Sequence, residues 1–85
     1  MEKQKMTVRV AGKEFALVTS DSPEHLGRVA AYVDRQITET VFATRQSKET
    51  AAVLVAMNIA DELMKAQDEN SRLRREIAAL REKEN

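Results

Sequence analysis

The run SKETAAVLVAMNIADELMKAQDENSRLRREIAALREKEN, residues 47–85, decides the fold, because it holds neither glycine nor proline and repeats apolar residues in heptads. Ala56, Leu63, Asn70, Ile77 and Glu84 take the a positions of one uninterrupted register, with Ala52, Ile59, Ala66, Leu73 and Leu80 at d. Ser47 is a good N-cap, so a helix is expected from there to Asn85. About 37 helical residues rising 1.5 Å each make a rod on the order of 55 Å, longer than so small a chain can cover. Part of it is expected to project. From Ala51 to Met64 the helix is apolar well beyond the seam, at Val53, Leu54, Val55, Met57, Ala60 and Met64, which predicts cladding by the first helix and the N-terminal strands. After Lys65 the outer positions become Asp68, Ser71, Arg72, Arg75 and Glu82. Residues 1–64 are therefore expected to form a head and residues 65–85 a projecting coiled-coil tail.

Isoleucine at a with leucine at d favours two parallel strands, and asparagine at an a position specifies register at some cost in stability. Ile59, Leu63, Asn70, Leu73, Ile77 and Leu80 are accordingly the candidate oligomerisation residues. The edges add direction: Glu69 at g faces Arg74 at e of a parallel partner helix, and Glu76 faces Arg81 in the same way. Antiparallel packing would oppose like charges. The competing reading is that these charges pair only within their own helix, for a few tenths of a kcal/mol each. The covered seam spans about three heptads and includes Ala66 and Asn70, so contacts in the head must help hold the oligomer.

Working back toward the N-terminus, Met6, Val8, Val10, Phe15 and Leu17 alternate with polar residues, the period of half-buried strands. A two-residue loop at Gly12-Lys13, with glycine first as a type II′ turn requires, would pair Ala11 with Glu14, Val10 with Phe15 and Val8 with Leu17. This predicts a β-hairpin over about residues 6–18. Asp21 or Ser22 then caps a helix over about 22–43, with Pro23 and Glu24 in its first turn. Leu26, Val29, Ala30, Val33, Ile37 and Val41 form its apolar stripe. Gly27 weakens that helix, which suggests a close neighbour against it. Thr44-Arg45-Gln46 is a short connection. The expected fold class is α+β, mostly α: an N-terminal β-hairpin and helix forming a small head, then a long helix in a parallel coiled coil.

Composition narrows the function. Lysine plus arginine equals aspartate plus glutamate at 14 each, so no net field collects phosphate backbones or anionic lipids, and neither nucleic acid nor membrane is the expected partner. With 85 residues and aromatic side chains only at Phe15, Tyr32 and Phe42, a stable core is expected to be shared between subunits. There is no cysteine for a disulfide or thiolate site, and the N-terminus lacks a signal-like apolar segment, which together suggest a cytoplasmic protein. His25, the sole histidine, lacks the companions of a metal site, and the serines have no histidine partner at a plausible triad position. No enzyme, cofactor or small-molecule substrate is expected.

The run Ala52-Val53-Leu54-Val55-Ala56-Met57-Asn58-Ile59-Ala60-Asp61-Glu62-Leu63 is similar to the most recognisable stretch of the cell-division protein ZapA family. The hairpin Val8-Arg9-Val10-Ala11-Gly12-Lys13-Glu14-Phe15, the capped helix and the coiled-coil tail follow that family's order, so the resemblance covers essentially the whole chain. It implies a cytoplasmic, non-enzymatic bacterial protein that binds the tubulin-like FtsZ and bundles its protofilaments in the Z-ring at the division septum. It also implies homodimers through head and coil that can pair tail to tail into tetramers, although some family members have a longer tail than this one. The matching places for FtsZ contact are Lys13 at the hairpin tip and Arg45, Lys48 and Glu49 around the helix junction.

Two other readings stay open. A ribbon-helix-helix-like DNA-binding dimer also combines strand and two helices, but reads DNA with one strand per subunit and usually carries excess positive charge. The other is a generic coiled-coil adaptor with a different partner.

Overall fold

The computed structural model describes residues 2–84. Their order is strand β1 (Gln4–Val10), strand β2 (Lys13–Thr19), helix α1 (Pro23–Thr44) and helix α2 (Lys48–Glu84), an α+β chain that is mostly helical. Asn85, the last residue of the expected helix, lies outside the described residues.

The strands pair antiparallel as a hairpin, in a register that differs from the expected one. Val10 faces Lys13, Arg9 faces Glu14, Val8 faces Phe15 and Met6 faces Leu17, so the loop is Ala11-Gly12 and not Gly12-Lys13. Ala11 has φ 55° and Gly12 φ 79°, positive at both central positions as in a type I′ turn, whose twist matches that of the flanking strands. The difference is a slip of two positions along β2. A two-residue slip preserves the side-chain alternation, so Met6, Val8, Val10, Phe15 and Leu17 still share a face. β1 packs against α1, and Met6, Val8 and Val10 are half-buried. On β2, Phe15 remains 46% and Leu17 40% exposed in the single chain.

Helix α1 starts where its cap requires. Ser22 is the N-cap: its Oγ accepts the His25 backbone N–H at 3.1 Å, and Pro23 follows in the first turn. Asp21, the other candidate, instead donates its backbone N–H to Thr19 Oγ1 at 3.0 Å. The helix ends at Arg45, whose backbone is left-handed (φ 61°) and whose N–H returns to the Val41 carbonyl at 2.8 Å. A non-glycine residue there costs about 1–2 kcal/mol. Thr44 Oγ1 closes the same end by donating to the Thr40 carbonyl and accepting from the Gln46 N–H. Ser47 Oγ then accepts the Thr50 N–H at 3.1 Å and opens α2.

Of the predicted stripe on α1, Leu26 and Ile37 are buried, Ala30, Val33 and Val41 half-buried, and Val29 exposed. A Cβ built at Gly27 meets nothing within 4 Å, so no described residue of the same chain is the close neighbour expected there.

The chain divides into two compact units, Met1–Val55 and Ala56–Asn85, with α2 contributing to both. In the first unit, Ala51 and Val55 are buried, four residues apart and hence on one helical face. Val53 stays 60% exposed and Leu54 stays exposed too, so cladding by α1 and the hairpin is narrower than the composition suggested. For Val53 the reason is angular: it lies two positions from both Ala51 and Val55 and points away from the face they share. In the second unit Met57 and Met64 are likewise exposed, and from Ala60 to Glu84 every side chain is exposed in the single chain.

Candidate partner-binding site at the hairpin tip

The sequence-predicted contact residues fall on β2, on the start of α2 and on the connection from α1 to α2, all within the first unit. Lys13 is the first residue of β2, directly after the turn, while Arg45 closes α1 and Lys48 and Glu49 form the first turn of α2. Lys13 Nζ stands 3.9 Å from Glu49 Oε1, and both side chains are exposed. An ion pair this exposed is worth about 0–1 kcal/mol, so it orients the lysine without withdrawing its charge from a partner. A Cβ built at Gly12 would stand 3.2 Å from Lys48 Nζ, which places that ammonium against the bare backbone of the turn. Lys13, Lys48 and Glu49 are thereby brought together. Arg45 lies nearby in sequence, across the connection from Lys48, and lines a neighbouring depression with Val41 and Phe42.

Sequence reasoning missed the residue that anchors this tip. The Asp34 carboxylate accepts the Ala11 backbone N–H at 2.8 Å, a partly buried bond between residues 23 apart. Ala11 is the non-glycine residue of the turn and has a left-handed backbone, so the bond helps offset the cost of that geometry. A signal was available: Asp34 lies three residues before Ile37 and seven before Val41, a carboxylate on the apolar side of α1. Beside the bond, Ala11, Gly12, Ile37, Phe42 and Lys48 line a shallow depression of about 170 Å³. Phe42 is 81% exposed, an aromatic side chain set beside the lysine cluster.

The second unit carries the predicted oligomerisation residues. Leu63, Leu73, Ile77 and Leu80 are exposed in the single chain, Asn70 is exposed among them, and Ile59 is half-buried. At the edge, Arg72 joins both g-position glutamates within its own helix: its Nε donates to Glu69 Oε2 at 3.0 Å, its Nη2 contacts Glu69 Oε1, and its Nη1 reaches Glu76 Oε1 at 2.5 Å. The hydrogen bond from Arg72 holds the Glu69 carboxyl below the usual carboxylate range. Glu69 and Glu76 thus have an intrahelical partner, as the competing reading of the edge charges expects, and pairing with Arg74 and Arg81 of a second copy has to compete with it.

The same order of hairpin, capped helix and long heptad helix recurs in known proteins. The family described as cell division protein ZapA matches residues 6–85. The chain belongs to that family. It is 36% identical to the cell division protein ZapA of Geobacillus kaustophilus (strain HTA426), over 88% of this chain and 84% of the relative. Against the cell division protein ZapA of Geobacillus thermodenitrificans (strain NG80-2) the identity is 38%, covering 84% and 79%. Among solved structures, the "ZapA mutant dimer from Geobacillus stearothermophilus" is similar with a TM-score of 0.78 and 33% identity, covering 91% of each chain. Family membership assigns the protein to cell division. Among the described residues no helix is long and apolar enough to cross a membrane.

Proposed function

We propose that the protein is a non-enzymatic homo-oligomer that binds FtsZ polymers and bundles them at the bacterial division septum, working in the cytoplasm. The observation that carries this reading is the grouping of exposed Lys13, Lys48 and Glu49 at the hairpin tip, beside Arg45, in a member of a cell-division family. Identical subunits joined through Ile59, Leu63, Asn70, Leu73, Ile77 and Leu80 would each bring one such tip. Several weak contacts to a repeating polymer then act at high effective concentration, so the assembly binds more tightly than any one tip. Catalysis is not needed for that.

The exposed seam supports self-association, because leaving Leu63, Leu73, Ile77 and Leu80 in water forgoes roughly a kcal/mol or more for each. That the solved relative is described as a dimer supports the same reading. The ribbon-helix-helix alternative fares less well, because β1 pairs with β2 of its own chain and not with a strand from a second subunit. The test is co-sedimentation of the purified protein with FtsZ assembled by GTP at micromolar concentrations. Pelleting with the polymer supports the proposal, and absence from the pellet rejects it. A salt-dependent gel shift with duplex DNA would favour the ribbon-helix-helix reading instead.

A further inference from the structure

We infer that Asp34 is the positioning residue of the FtsZ-binding tip: by holding the Ala11-Gly12 turn onto α1, it aims Lys13 beside Lys48 and Glu49. This deepens the proposed function and rests on it. An isolated hairpin is marginal in water, and a solvent-exposed turn without outside contacts samples other conformations at low free-energy cost. Here the tip has an anchor from outside the sheet, the 2.8 Å bond from the Ala11 N–H to Asp34 Oδ1. Asp34 is itself held in a regular helical turn, with its carbonyl accepting from Thr38 Oγ1 at 2.9 Å.

The bond settles a choice that the local sequence leaves open. With Gly12 first in the loop, Lys13 would lie within the turn; with Ala11 first, Lys13 begins β2 opposite Val10. The observed register places alanine in a left-handed conformation at a cost of about 1–2 kcal/mol, and a partly buried hydrogen bond to a carboxylate is of the size to compensate it. Without that bond, the alternative register becomes competitive. The face alternation survives a two-residue slip, so the hairpin can persist while Lys13 moves away from Glu49. Asp34 therefore acts on binding through Lys13 and makes no contact with the polymer itself.

A double-mutant cycle on the full chain tests this, with FtsZ-polymer affinity read by co-sedimentation and fold checked by circular dichroism and sedimentation velocity. Asp34→Ala is expected to weaken binding about tenfold, while Asp34→Asn, which keeps an oxygen acceptor, stays within about threefold of the parent. Lys13→Ala is expected to lose binding on its own, and adding Asp34→Ala to it should cost little more, because the two act on one contact. Backbone amide exchange at Ala11 and Lys13 should accelerate in Asp34→Ala while exchange within α1 does not change, a readout that general destabilisation would not reproduce. Parental binding by Asp34→Ala, alongside a loss in Lys13→Ala, overturns the positioning role and leaves the proposed function standing. Strictly additive losses overturn it as well. Parental binding by Lys13→Ala rejects the tip reading itself.

Discussion

Replacing Ile77 with glutamate probes the seam at the residue where its loss is easiest to size. Ile77 keeps 50% of its surface exposed in the single chain, so that half is what a partner helix can cover. Full burial of an isoleucine is worth about 1.5–3 kcal/mol, and the uncovered half therefore about 1 kcal/mol per chain, or about 2 kcal/mol for a pair. Ile77→Glu removes that gain and sets two carboxylates against each other at an a layer. Repulsion or forced protonation there adds about 2 kcal/mol more. The total of about 4 kcal/mol corresponds to a dissociation constant raised roughly a thousandfold for the assembly held by the seam. Sedimentation equilibrium over nanomolar to micromolar concentrations measures this directly, with Ile77→Leu as a control expected to shift it by less than about tenfold. An unchanged mass distribution for Ile77→Glu would refute the reasoning, because it would place the oligomer contacts elsewhere.

Ala11→Gly should stabilise the chain by about 0.5 kcal/mol, since relief at φ 55° outweighs glycine's extra backbone entropy, and should raise the melting temperature by about 3 °C. Gly12→Ala should destabilise by about 1 kcal/mol in the same melt, because φ 79° disfavours a side chain there while Lys48 Nζ can swing aside. Because Arg72 lowers the pKa of Glu69 in the folded chain, their pairing contributes at neutral pH and is lost as pH falls through that lowered pKa. A difference in melting temperature between the parent and Arg72→Ala should therefore be present at pH 7 and disappear in acid. Leu80→Cys should oxidise readily to a two-chain disulfide if the helices run parallel, because d positions then face their equivalents; failure to cross-link in an intact oligomer would indicate antiparallel chains.

Both helices are legible in the sequence, because each begins at a serine whose hydroxyl caps the first turn and each carries an apolar repeat of helical period. The hairpin was legible in its strands and apolar face, and illegible in its register. Glycine at either loop position suits a primed turn, and the choice between them is made by Asp34, which is 23 residues from Ala11 and outside any local window. The same distance explains why the Asp34 contact itself went unseen. Lys13 and Glu49 belong to segments that composition alone would never place 3.9 Å apart; only the family resemblance pointed to both. The extent of cladding on α2 was overestimated because apolar residues around the whole circumference of a helix cannot all face one neighbour. Val53 and Met57 are instead left in solvent in the single chain.

The most direct measurement is electron microscopy of FtsZ filaments assembled with GTP, alone and with the parent chain or Ile77→Glu at equal subunit concentration. The account predicts thick, aligned bundles with the parent chain, and decorated but separate filaments with Ile77→Glu, because the tip survives and the valency does not. Filaments that remain single and bare with the parent chain would contradict it.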